Sequence, residues 1–294
     1  MASQRSILIT GCSDGGLGSA LALTFHKTGW RVFASARNMS KLKEVEVTGI
    51  EIIQLDINSD ESIKNSVAKV QELTGGSLDA LLNNAGAGYC MPLMDVDIGK
   101  ARELFEINVF PLLSMTQSFL PLLVKSTRGP MVINNTSIAS VSVGGLPFHG
   151  SYNASKAAAA SLTESMRVEL APFGIKVINL MTGAVGSNFF DNAPSATLPS
   201  NSLYNLAKEP IEKFMAGRDG ETMDRFKWAE QVVKNLDKSH PPFWVWQGRY
   251  AKELRVAALL PVGFLDSFVK PMVGLDVLER KIQEQEKESK GRTS

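Results

Sequence analysis

A tyrosine and a lysine four residues apart, Tyr152 and Lys156, are the pair in this sequence best suited to acid–base chemistry. On a helix, positions i and i+4 lie on one face, so both side chains can reach the same ligand. A free tyrosine has a pKa of about 10, and a neighbouring ammonium group stabilises the phenolate. The spacing therefore predicts a proton donor for a carbonyl and alcohol couple, with Lys156 lowering the pKa of Tyr152.

Ser137 can complete this pair, because a serine hydroxyl at the end of a strand can hold the oxygen of a carbonyl group. It closely follows the apolar segment Met131–Asn135, which has the composition of a buried strand. Ser140 and Ser142 offer the same side chain a few residues later. We predict that Ser137 orients and polarises the carbonyl, with the two later serines as alternatives.

A glycine-rich turn lies between a predicted strand at residues 6–9 and a predicted helix at 17–28. Glycines allow a backbone to approach a pyrophosphate closely, and the N-terminus of the following helix offers free N–H groups. A plain tight turn is the alternative, but this order of elements is typical of dinucleotide binding. The predicted contacts are Gly11, Ser13, Gly16, Leu17 and Gly18.

The same turn also fits a hydrolase pattern, because Gly11-Cys12-Ser13-Asp14-Gly15 reads G-x-S-x-G. That pattern places a nucleophilic serine between a strand and a helix, so Ser13 would be the nucleophile. His149 or His240 would have to act as the base. The turn follows the first strand, however, so no earlier strand can supply the usual second oxyanion donor. This hypothesis ranks well below dinucleotide binding.

The end of the second predicted strand, residues 31–35, indicates which dinucleotide is bound. A carboxylate at this place hydrogen-bonds the ribose 2′-hydroxyl of NAD, whereas an arginine accommodates the 2′-phosphate of NADP. The sequence there is Ser35-Ala36-Arg37-Asn38, with no carboxylate. Arg37 therefore predicts NADPH or NADP as the cofactor, although an ordinary surface arginine is the alternative.

Short apolar runs alternate with longer helical segments along the chain, and this alternation predicts a parallel sheet covered by helices on both faces. The fold class is therefore α/β, a Rossmann-like doubly wound parallel sheet with a C-terminal substrate lid. The predicted strands are residues 6–9, 31–35, 50–55, 80–83, 131–135 and 176–181, with another candidate at 243–246. The predicted helices are 17–28, 60–73, 98–124 and 151–172. Residues 1–278 are predicted to form one domain, with the lid at 187–241, a C-terminal apolar extension at 243–278 and a polar tail at 279–294.

Composition excludes several classes of function. The chain has 294 residues and a formal net charge of +1, so it has no excess positive charge for nucleic acid. Its two cysteines form no framework of disulfides, and its three histidines are far apart, so no zinc site is expected. The apolar run at residues 7–9 is too short for the core of a signal peptide. These features favour a cytoplasmic location.

Two stretches resemble membrane spans. Residues 107–124 carry no charge, but they contain Asn108, Pro111, Gln117 and Pro121, which favours a buried helix. Residues 256–265 are too few to span a bilayer, and Pro261 and Gly263 interrupt them.

Taken together, these residues resemble the short-chain dehydrogenase/reductase family. The matching pieces occur in the family's order from residue 6 to about residue 190. They are the glycine turn at 10–18, Asp56, Asn83-Asn84-Ala85-Gly86, Asn108 in Glu106-Ile107-Asn108-Val109, Ser137, and Tyr152 with Lys156.

The resemblance implies a role for each matching residue. Tyr152 would be the general acid in reduction, Ser137 would bind the carbonyl oxygen, and Lys156 would also hydrogen-bond the nicotinamide ribose. Asn108 would hold a water molecule in a proton relay that ends at Lys156. The remaining implied cofactor contacts are Asp56 and Ile57 at the adenine, Asn83, Ala85 and Gly86 along the cofactor, and Gly183, Val185 and Ser187 after the sixth strand.

The sequence departs from the family pattern in three places. The glycine turn is one residue longer than usual, which leaves open whether Asp14, Gly15 or Gly16 contacts phosphate. Thr182-Gly183 replaces the usual Pro-Gly pair. The loop before Tyr152 is about two residues longer than usual and includes Gly144-Gly145.

Family members differ most in the lid, and here the lid is rich in apolar side chains. They are Phe189, Phe190, Leu198, Tyr204, Phe214, Met215, Phe226 and Trp228, together with the loop Leu146-Pro147-Phe148-His149. They predict a fairly large apolar ketone, polyketide-like, terpenoid-like or an acyl lipid. Packing of the lid against itself explains them equally well.

Residues 243–278 resemble the end of fungal reductases related to acyl-dihydroxyacetone-phosphate reductase and of their relatives in secondary metabolism. This likeness implies peripheral contact with the endoplasmic reticulum or lipid droplets through residues 256–275. The family also implies a homodimer or homotetramer built on the helices at 98–124 and 151–172. The alternatives are a reductase fold reused for non-redox catalysis or lipid-surface binding, and the Ser13 hydrolase.

Overall fold

The computed structural model describes residues 4–141, 146–189, 191, 196–217 and 220–291. The predictions about Ser142, Phe190 and Gly144-Gly145 lie outside these described residues.

Seven parallel strands form one sheet. They are β1 (Ser6–Ile9), β2 (Arg31–Ala36), β3 (Glu51–Gln54), β4 (Ala80–Asn83), β5 (Met131–Asn135), β6 (Lys176–Thr182) and β7 (Trp244–Gln247). Their order in the sheet is β3-β2-β1-β4-β5-β6-β7. The order reverses direction between β1 and β4, and this switch point is where doubly wound sheets bind ligands, beyond the carboxyl ends of the strands.

Helices connect and cover these strands. In chain order they are α1 (Leu17–Lys27), α2 (Lys43–Glu46), α3 (Asp60–Thr74), α4 (Ile98–Asn108), α5 (Phe110–Val124), α6 (Gly150–Glu169), α7 (Lys208–Met215), α8 (Arg225–Leu236), α9 (Ala251–Ala257), α10 (Asp266–Met272) and α11 (Leu275–Gly291). The predicted doubly wound α/β fold is confirmed, with boundaries that differ by a few residues.

Both faces of the sheet are buried, which explains the continuous apolar runs of its strands. In β1, Ile7 and Ile9 belong to a core cluster that includes Phe25 of α1, whereas Leu8 belongs to a second cluster that includes Phe119 of α5. All five side chains are at most 1% exposed. Alternate residues of one strand thus hold helices on opposite faces.

The predicted helix at 98–124 is broken, because α4 ends at Asn108 and α5 begins at Phe110. Val109 has ψ −65° and φ −116°, away from ideal helix. Pro111 has no N–H group to donate to the carbonyl four residues earlier, which accounts for the break. The stretch has the hydropathy and length of a membrane span but is 50% buried, and Phe119 lies in the second core cluster. We therefore read it as two core helices.

The predicted lid divides between two cores. Trp228 of α8 is fully buried in the first core cluster, and Phe226 packs against the same cluster, so both contribute to the main core. A third cluster joins the lid to the C-terminal segment through Phe148, Ile211 and Val273. The predicted extension at 243–278 is also divided, because β7 is the last strand of the main sheet.

Candidate active site

Helix α6 carries both members of the predicted acid–base pair. Its packing on β6 and on the segment after β5 places Lys156, 6% exposed, at the carboxyl end of the sheet. The Lys156 Nζ donates a hydrogen bond of 3.0 Å to the Asn135 carbonyl oxygen. The same Nζ lies 5.9 Å from the centre of the Tyr152 ring. The two side chains therefore share one face of α6, as their spacing predicts.

The electrostatics of the pair differ from the sequence prediction. Part of the Tyr152 residue is exposed, but burial of its hydroxyl raises the pKa of Tyr152 to about 12, against the opposing effect of a hydrogen bond with Ser137. Burial also lowers the pKa of Lys156 to about 8. Desolvation thus outweighs the expected lowering of the tyrosine pKa by Lys156. Tyr152 carries its proton at neutral pH, which is the form that a general acid needs.

Ser137 lies beside Tyr152, as predicted. Its Oγ accepts a hydrogen bond of 3.1 Å from the Ala139 N–H at the start of a single 3₁₀ turn, and its hydroxyl lowers the pKa of Tyr152 against the effect of burial. The alternative residue, Ser140, instead donates its hydroxyl to the Lys156 carbonyl oxygen at 3.0 Å. This arrangement favours Ser137 over Ser140 as the group that faces the substrate.

Asn108 is buried where α4 ends, and its amide joins two parts of the site. Its Oδ1 accepts from the Ala87 N–H at 2.9 Å, while its Nδ2 donates to the Ala87 carbonyl and the Ser155 hydroxyl, each at 3.0 Å. A Cβ on Gly86 would lie 3.1 Å from this Oδ1 and 3.4 Å from the Lys156 Nζ. Because both amide protons are engaged, the side chain can accept from a relay water but cannot donate to it.

A chain of polar side chains crosses the carboxyl ends of four neighbouring strands. The Asn84 Nδ2 donates to the Thr10 carbonyl at 2.9 Å, and the Asn84 Oδ1 accepts from the Asn135 Nδ2 at 2.8 Å. The Asn135 Oδ1 accepts in turn from the Thr182 hydroxyl at 2.5 Å. Sequence reasoning missed Asn135 and Thr182. A polar residue at or just after the end of each of β1, β4, β5 and β6 was the available signal.

Asn83 and Ala85 form hydrogen bonds to the sheet and to the first residue of the glycine turn. The Asn83 Nδ2 donates to the Asn134 Oδ1 of β5 at 2.8 Å, so this buried side chain ties two strands together. The Ala85 N–H donates to the Thr10 hydroxyl at 3.0 Å. The structure therefore places both where a cofactor could pass, with Asn83 steadying the sheet.

The glycine turn is shaped for a phosphate group. Gly11 has φ +70°, and a Cβ there would lie 2.8 Å from the Ala85 Cα. A Cβ on Gly18 would collide with the Gly11 carbonyl oxygen. Helix α1 begins at Leu17 after Gly16, with no side-chain cap and no acidic residue in its first turn. Its first N–H groups can therefore bind an anion.

Asp14 and Gly15 of this turn face a different partner. The Asp14 carboxylate accepts from the N–H groups of Lys43 and Glu44, at 3.3 and 2.8 Å, and the Gly15 N–H donates to the Glu44 carboxylate at 3.2 Å. The phosphate contact is thereby left to the start of α1, beside the half-buried Ser13.

The end of β2 fits a 2′-phosphate. Arg37 is exposed there, and its carbonyl oxygen accepts a hydrogen bond of 3.4 Å from the Gln54 Nε2. At the end of β3, the Asp56 Oδ1 accepts from the Asn58 N–H at 3.0 Å, and Ile57 packs against the second core cluster. These residues line the side of the sheet expected for the adenosine. Together with the glycine turn, they fit a phosphorylated dinucleotide.

The segment after β6 closes over the glycine turn. Val185 forms a bridge with Met223, and Ser187, two residues further along the chain, is half-buried. The Asn188 Nδ2 then donates to the Asp14 carbonyl oxygen at 3.2 Å. Gly183 is required for another reason, because a Cβ there would collide with the Arg249 carbonyl oxygen. Asn188 is a site residue that sequence reasoning missed.

One aromatic side chain contacts Tyr152, and further aromatic side chains contact one another in the predicted lid and the loop before α6. The Phe189 ring meets the Tyr152 ring edge-on, with centres 5.7 Å apart. Phe148 makes similar contacts with Tyr204, at 5.8 Å, and with Phe214, at 6.3 Å. An aromatic side chain of the lid, Phe189, therefore contacts the proposed acid.

The geometry gives the hydrolase hypothesis no support. Ser13 is not among the described non-glycine residues with positive φ, whereas a nucleophile elbow holds its serine in a strained turn. The His149 Nδ1 bonds the Pro147 carbonyl, and the His240 Nδ1 bonds the Ser239 hydroxyl.

Comparison with known proteins identifies the family. Residues 5–197 match the family described as short chain dehydrogenase. A short-chain dehydrogenase/reductase of Pestalotiopsis microspora is 41% identical, over 96% of this chain and 99% of that protein. The NADPH-dependent 1-acyldihydroxyacetone phosphate reductase of Schizosaccharomyces pombe is 31% identical, over 94% of this chain and 96% of its own. A crystal structure of a short-chain dehydrogenase from Streptomyces avermitilis superposes with a TM-score of 0.74 at 28% identity, over 99% of both chains. The chain therefore belongs to the short-chain dehydrogenase/reductase family of oxidoreductases.

Proposed function

We propose that the protein is an NADPH-dependent reductase that converts the carbonyl group of a fairly large apolar ketone into an alcohol. The observation that carries this proposal is the meeting of Ser137, Tyr152 and Lys156 at the carboxyl end of the sheet, beside the end of β5. A glycine turn lies next to them along the same edge, and Arg37 rather than a carboxylate follows β2. The NADPH-dependent relative from Schizosaccharomyces pombe supports this choice of cofactor.

When bound, NADPH supplies the hydride that reduces the carbonyl carbon. Tyr152 donates its phenolic proton to the carbonyl oxygen, since burial keeps the phenol protonated at neutral pH. Ser137 donates a hydrogen bond to the same oxygen and orients it. Lys156, fixed through the Asn135 carbonyl, supplies positive charge beside Tyr152 as its proton leaves. Asn108 holds the 86–87 backbone against α6.

The third core cluster supports an apolar substrate. It includes the buried side chains of Cys90, Phe148 and Leu198 and continues into α7. Phe189, in contact with Tyr152, begins the same lid. A ketone that reaches Tyr152 would therefore leave its non-reacting part among apolar groups, where burial contributes about 25 cal/mol per Å².

A substrate panel tests the proposed activity. Oxidation of NADPH is followed by absorbance with apolar ketones, quinones and acyl-dihydroxyacetone phosphate. Turnover of one class would support the proposal and begin to identify the substrate. Tight NADPH binding without turnover of any compound would favour the alternative, a reductase fold reused for non-redox chemistry. The intact Tyr152 and Lys156 pair argues against that alternative, because such reuse does not require it.

Replacement of Arg37 by aspartate is expected to reverse the cofactor preference. The carboxylate would repel a 2′-phosphate and accept a hydrogen bond from a 2′-hydroxyl, so the kcat/KM ratio of NADPH to NADH should fall by about 100-fold. Arg102 to aspartate, on α4, is the matched control and should leave the ratio unchanged. An Arg37→Asp variant that keeps its preference for NADPH would contradict the assignment.

We also propose that the exposed apolar segment at 256–272 contacts a lipid surface. Three of its apolar side chains are largely exposed, Val262 at 92%, Leu259 at 86% and Phe268 at 71%. Lys252 and Arg255 are exposed on α9 at one end of this segment and complement anionic headgroups. At its other end, Val273, the residue that follows this segment, packs into the third cluster, so the surface continues into the lid. This continuity suits the delivery of an apolar ketone.

Flotation with vesicles tests the lipid contact. The protein should float with phosphatidylcholine vesicles that contain phosphatidylserine, and replacement of both Leu259 and Phe268 by glutamate should reduce the bound fraction at least about tenfold. Leu203→Glu is the matched control, since Leu203 is 81% exposed elsewhere. Wild-type protein that stays with the soluble fraction would contradict this proposal. Loss of a dimer in the double variant would instead assign the surface to a second copy.

We further propose that the protein forms a homodimer or homotetramer through α4, α5 and α6. Phe110 is 52% exposed on α5, and Val168 is 62% exposed on α6. Burial of such side chains between two copies would be favourable.

A further inference from the structure

The glycine turn and the segment after β2 hold each other through reciprocal carboxylate bonds. The Asp14 carboxylate accepts the first two N–H groups of α2, from Lys43 and Glu44. In the opposite direction, the Glu44 carboxylate accepts the Gly15 N–H at 3.2 Å and the Ser19 hydroxyl at 3.0 Å. The Asp14 N–H adds a bond of 2.7 Å to the Lys41 carbonyl. Asp14 and Gly15, both in the lengthened turn, thus bond the segment after β2.

The lid supports this connection from two sides. The Arg225 guanidinium of α8 binds both Glu44 carboxylate oxygens, at 2.9 and 3.2 Å. Two parallel bonds of this kind fix a carboxylate in one orientation. The Asn188 side chain binds the Asp14 carbonyl oxygen. Asp14 and Glu44 are therefore held in place by elements that enclose the turn.

The two connected segments face different parts of a dinucleotide. The start of α1 offers its N–H groups to the pyrophosphate, which NAD and NADP share. Arg37 belongs to the segment after β2, where a 2′-phosphate distinguishes NADP. A change in the spacing between the segments would therefore weaken NADP more than NAD.

We infer that Asp14 is a positioning residue that holds the segment 37–46 against the glycine turn and thereby sets the affinity for a dinucleotide bearing a 2′-phosphate. This inference rests on the proposed NADPH dependence. It gives Asp14 a role in cofactor selection that is exerted through the backbone of α2 rather than by contact with the cofactor. The Asp14 carboxylate is directed at N–H groups, so its negative charge is compensated.

Calorimetric binding of NADP⁺ and NAD⁺ to the full chain tests this inference without turnover. Asp14→Ala is expected to raise the Kd for NADP⁺ about tenfold and the Kd for NAD⁺ less than about threefold, because the carboxylate bonds are lost. Asp14→Asn keeps one acceptor oxygen and should fall between wild type and the alanine variant. Asp97→Ala is the matched control, since Asp97 also caps two backbone N–H groups, those of Gly99 and Lys100, but on α4.

The outcomes separate this inference from the proposal beneath it. Wild-type protein that does not bind NADP⁺ would overturn both. Wild-type binding together with an unchanged ratio of the two Kd values in the Asp14 variants would overturn only the positioning role. Tighter NADP⁺ binding by both variants would also overturn it, because Asp14 would then act by charge repulsion. If Asp14→Ala does not fold, the Asp14→Asn ratio decides.

Discussion

Replacement of Tyr152 by phenylalanine is expected to lower kcat/KM for ketone reduction by about 10²–10⁴-fold, the usual contribution of a general acid. The phenolic proton lies beside Ser137 and is retained at neutral pH, because burial raises the pKa of Tyr152 to about 12. Phenylalanine keeps the ring and its edge-on contact with Phe189 but removes that proton. Affinity for NADPH and the melting temperature should therefore change little.

A second tyrosine provides the control for this variant. Tyr250 is 38% exposed at the start of α9, and Tyr250→Phe should keep wild-type activity. Activity of Tyr152→Phe within a factor of about three of wild type would mean that another group supplies the proton.

Replacement of Lys156 by methionine is expected to abolish most activity and yet stabilise the fold. The buried ammonium is costly, as shown by the fall of the Lys156 pKa from 10.5 to about 8. That difference corresponds to a destabilisation of the folded state by about 3 kcal/mol at neutral pH. Methionine also loses the hydrogen bond to the Asn135 carbonyl, which offsets about 1 kcal/mol of the gain from removing the buried charge. We therefore expect the free energy of unfolding at pH 7 to rise by about 2 kcal/mol, while kcat falls by about 100-fold or more.

The pH dependence of this stabilisation has a definite sign. Above pH 8 the folded wild type releases the Lys156 proton, whereas the unfolded chain retains it up to about pH 10.5. The unfolded state then binds more protons, so the stability contribution of Lys156 rises with pH in this window. Methionine does not titrate. The advantage of the variant should be full below pH 8 and decrease as the pH approaches 10.5.

Denaturant unfolding between pH 7 and pH 10.5 measures this difference. Lys176→Met is the matched control, because the Lys176 Nζ also donates to a backbone carbonyl, that of Ser239 at 3.0 Å, but Lys176 is only half-buried. The control should show no stabilisation at any pH. An advantage of Lys156→Met that is absent at pH 7, or that grows with pH, would contradict a buried charged lysine.

Local sequence patterns predicted the sheet and indicated which residues the fold would bring together at its carboxyl edge. The apolar runs of β1, β4 and β5 could be recognised as strands from the sequence, because strands covered on both faces contain few polar residues. The spacing of Tyr152 and Lys156 predicted a shared face because α6 is a regular helix at that point. The glycine turn joins the end of a strand to the start of a helix, so its position at the carboxyl edge of the sheet could also be predicted.

Contacts between distant segments could not be read in this way. Trp228 looked like a lid residue, yet α8 packs on α1 in the main core. The pKa of Tyr152 depends on burial by residues from several elements, which spacing alone does not reveal. The bonds between Asp14 and α2, and those between Arg225 and Glu44, join residues that are 29 to 181 positions apart.

The central claim is that this site reduces a carbonyl carbon with hydride from NADPH. NADPH is deuterated at C4 of the nicotinamide, and its two stereoisomers are prepared separately. Each stereoisomer is incubated with the protein and an apolar ketone found active in the panel. Mass spectrometry and NMR then locate the label. We expect deuterium from one stereoisomer on the carbinol carbon of the product, and none with Tyr152→Phe over the same time. A product without deuterium from either stereoisomer, or equal labelling by the variant, would contradict the account.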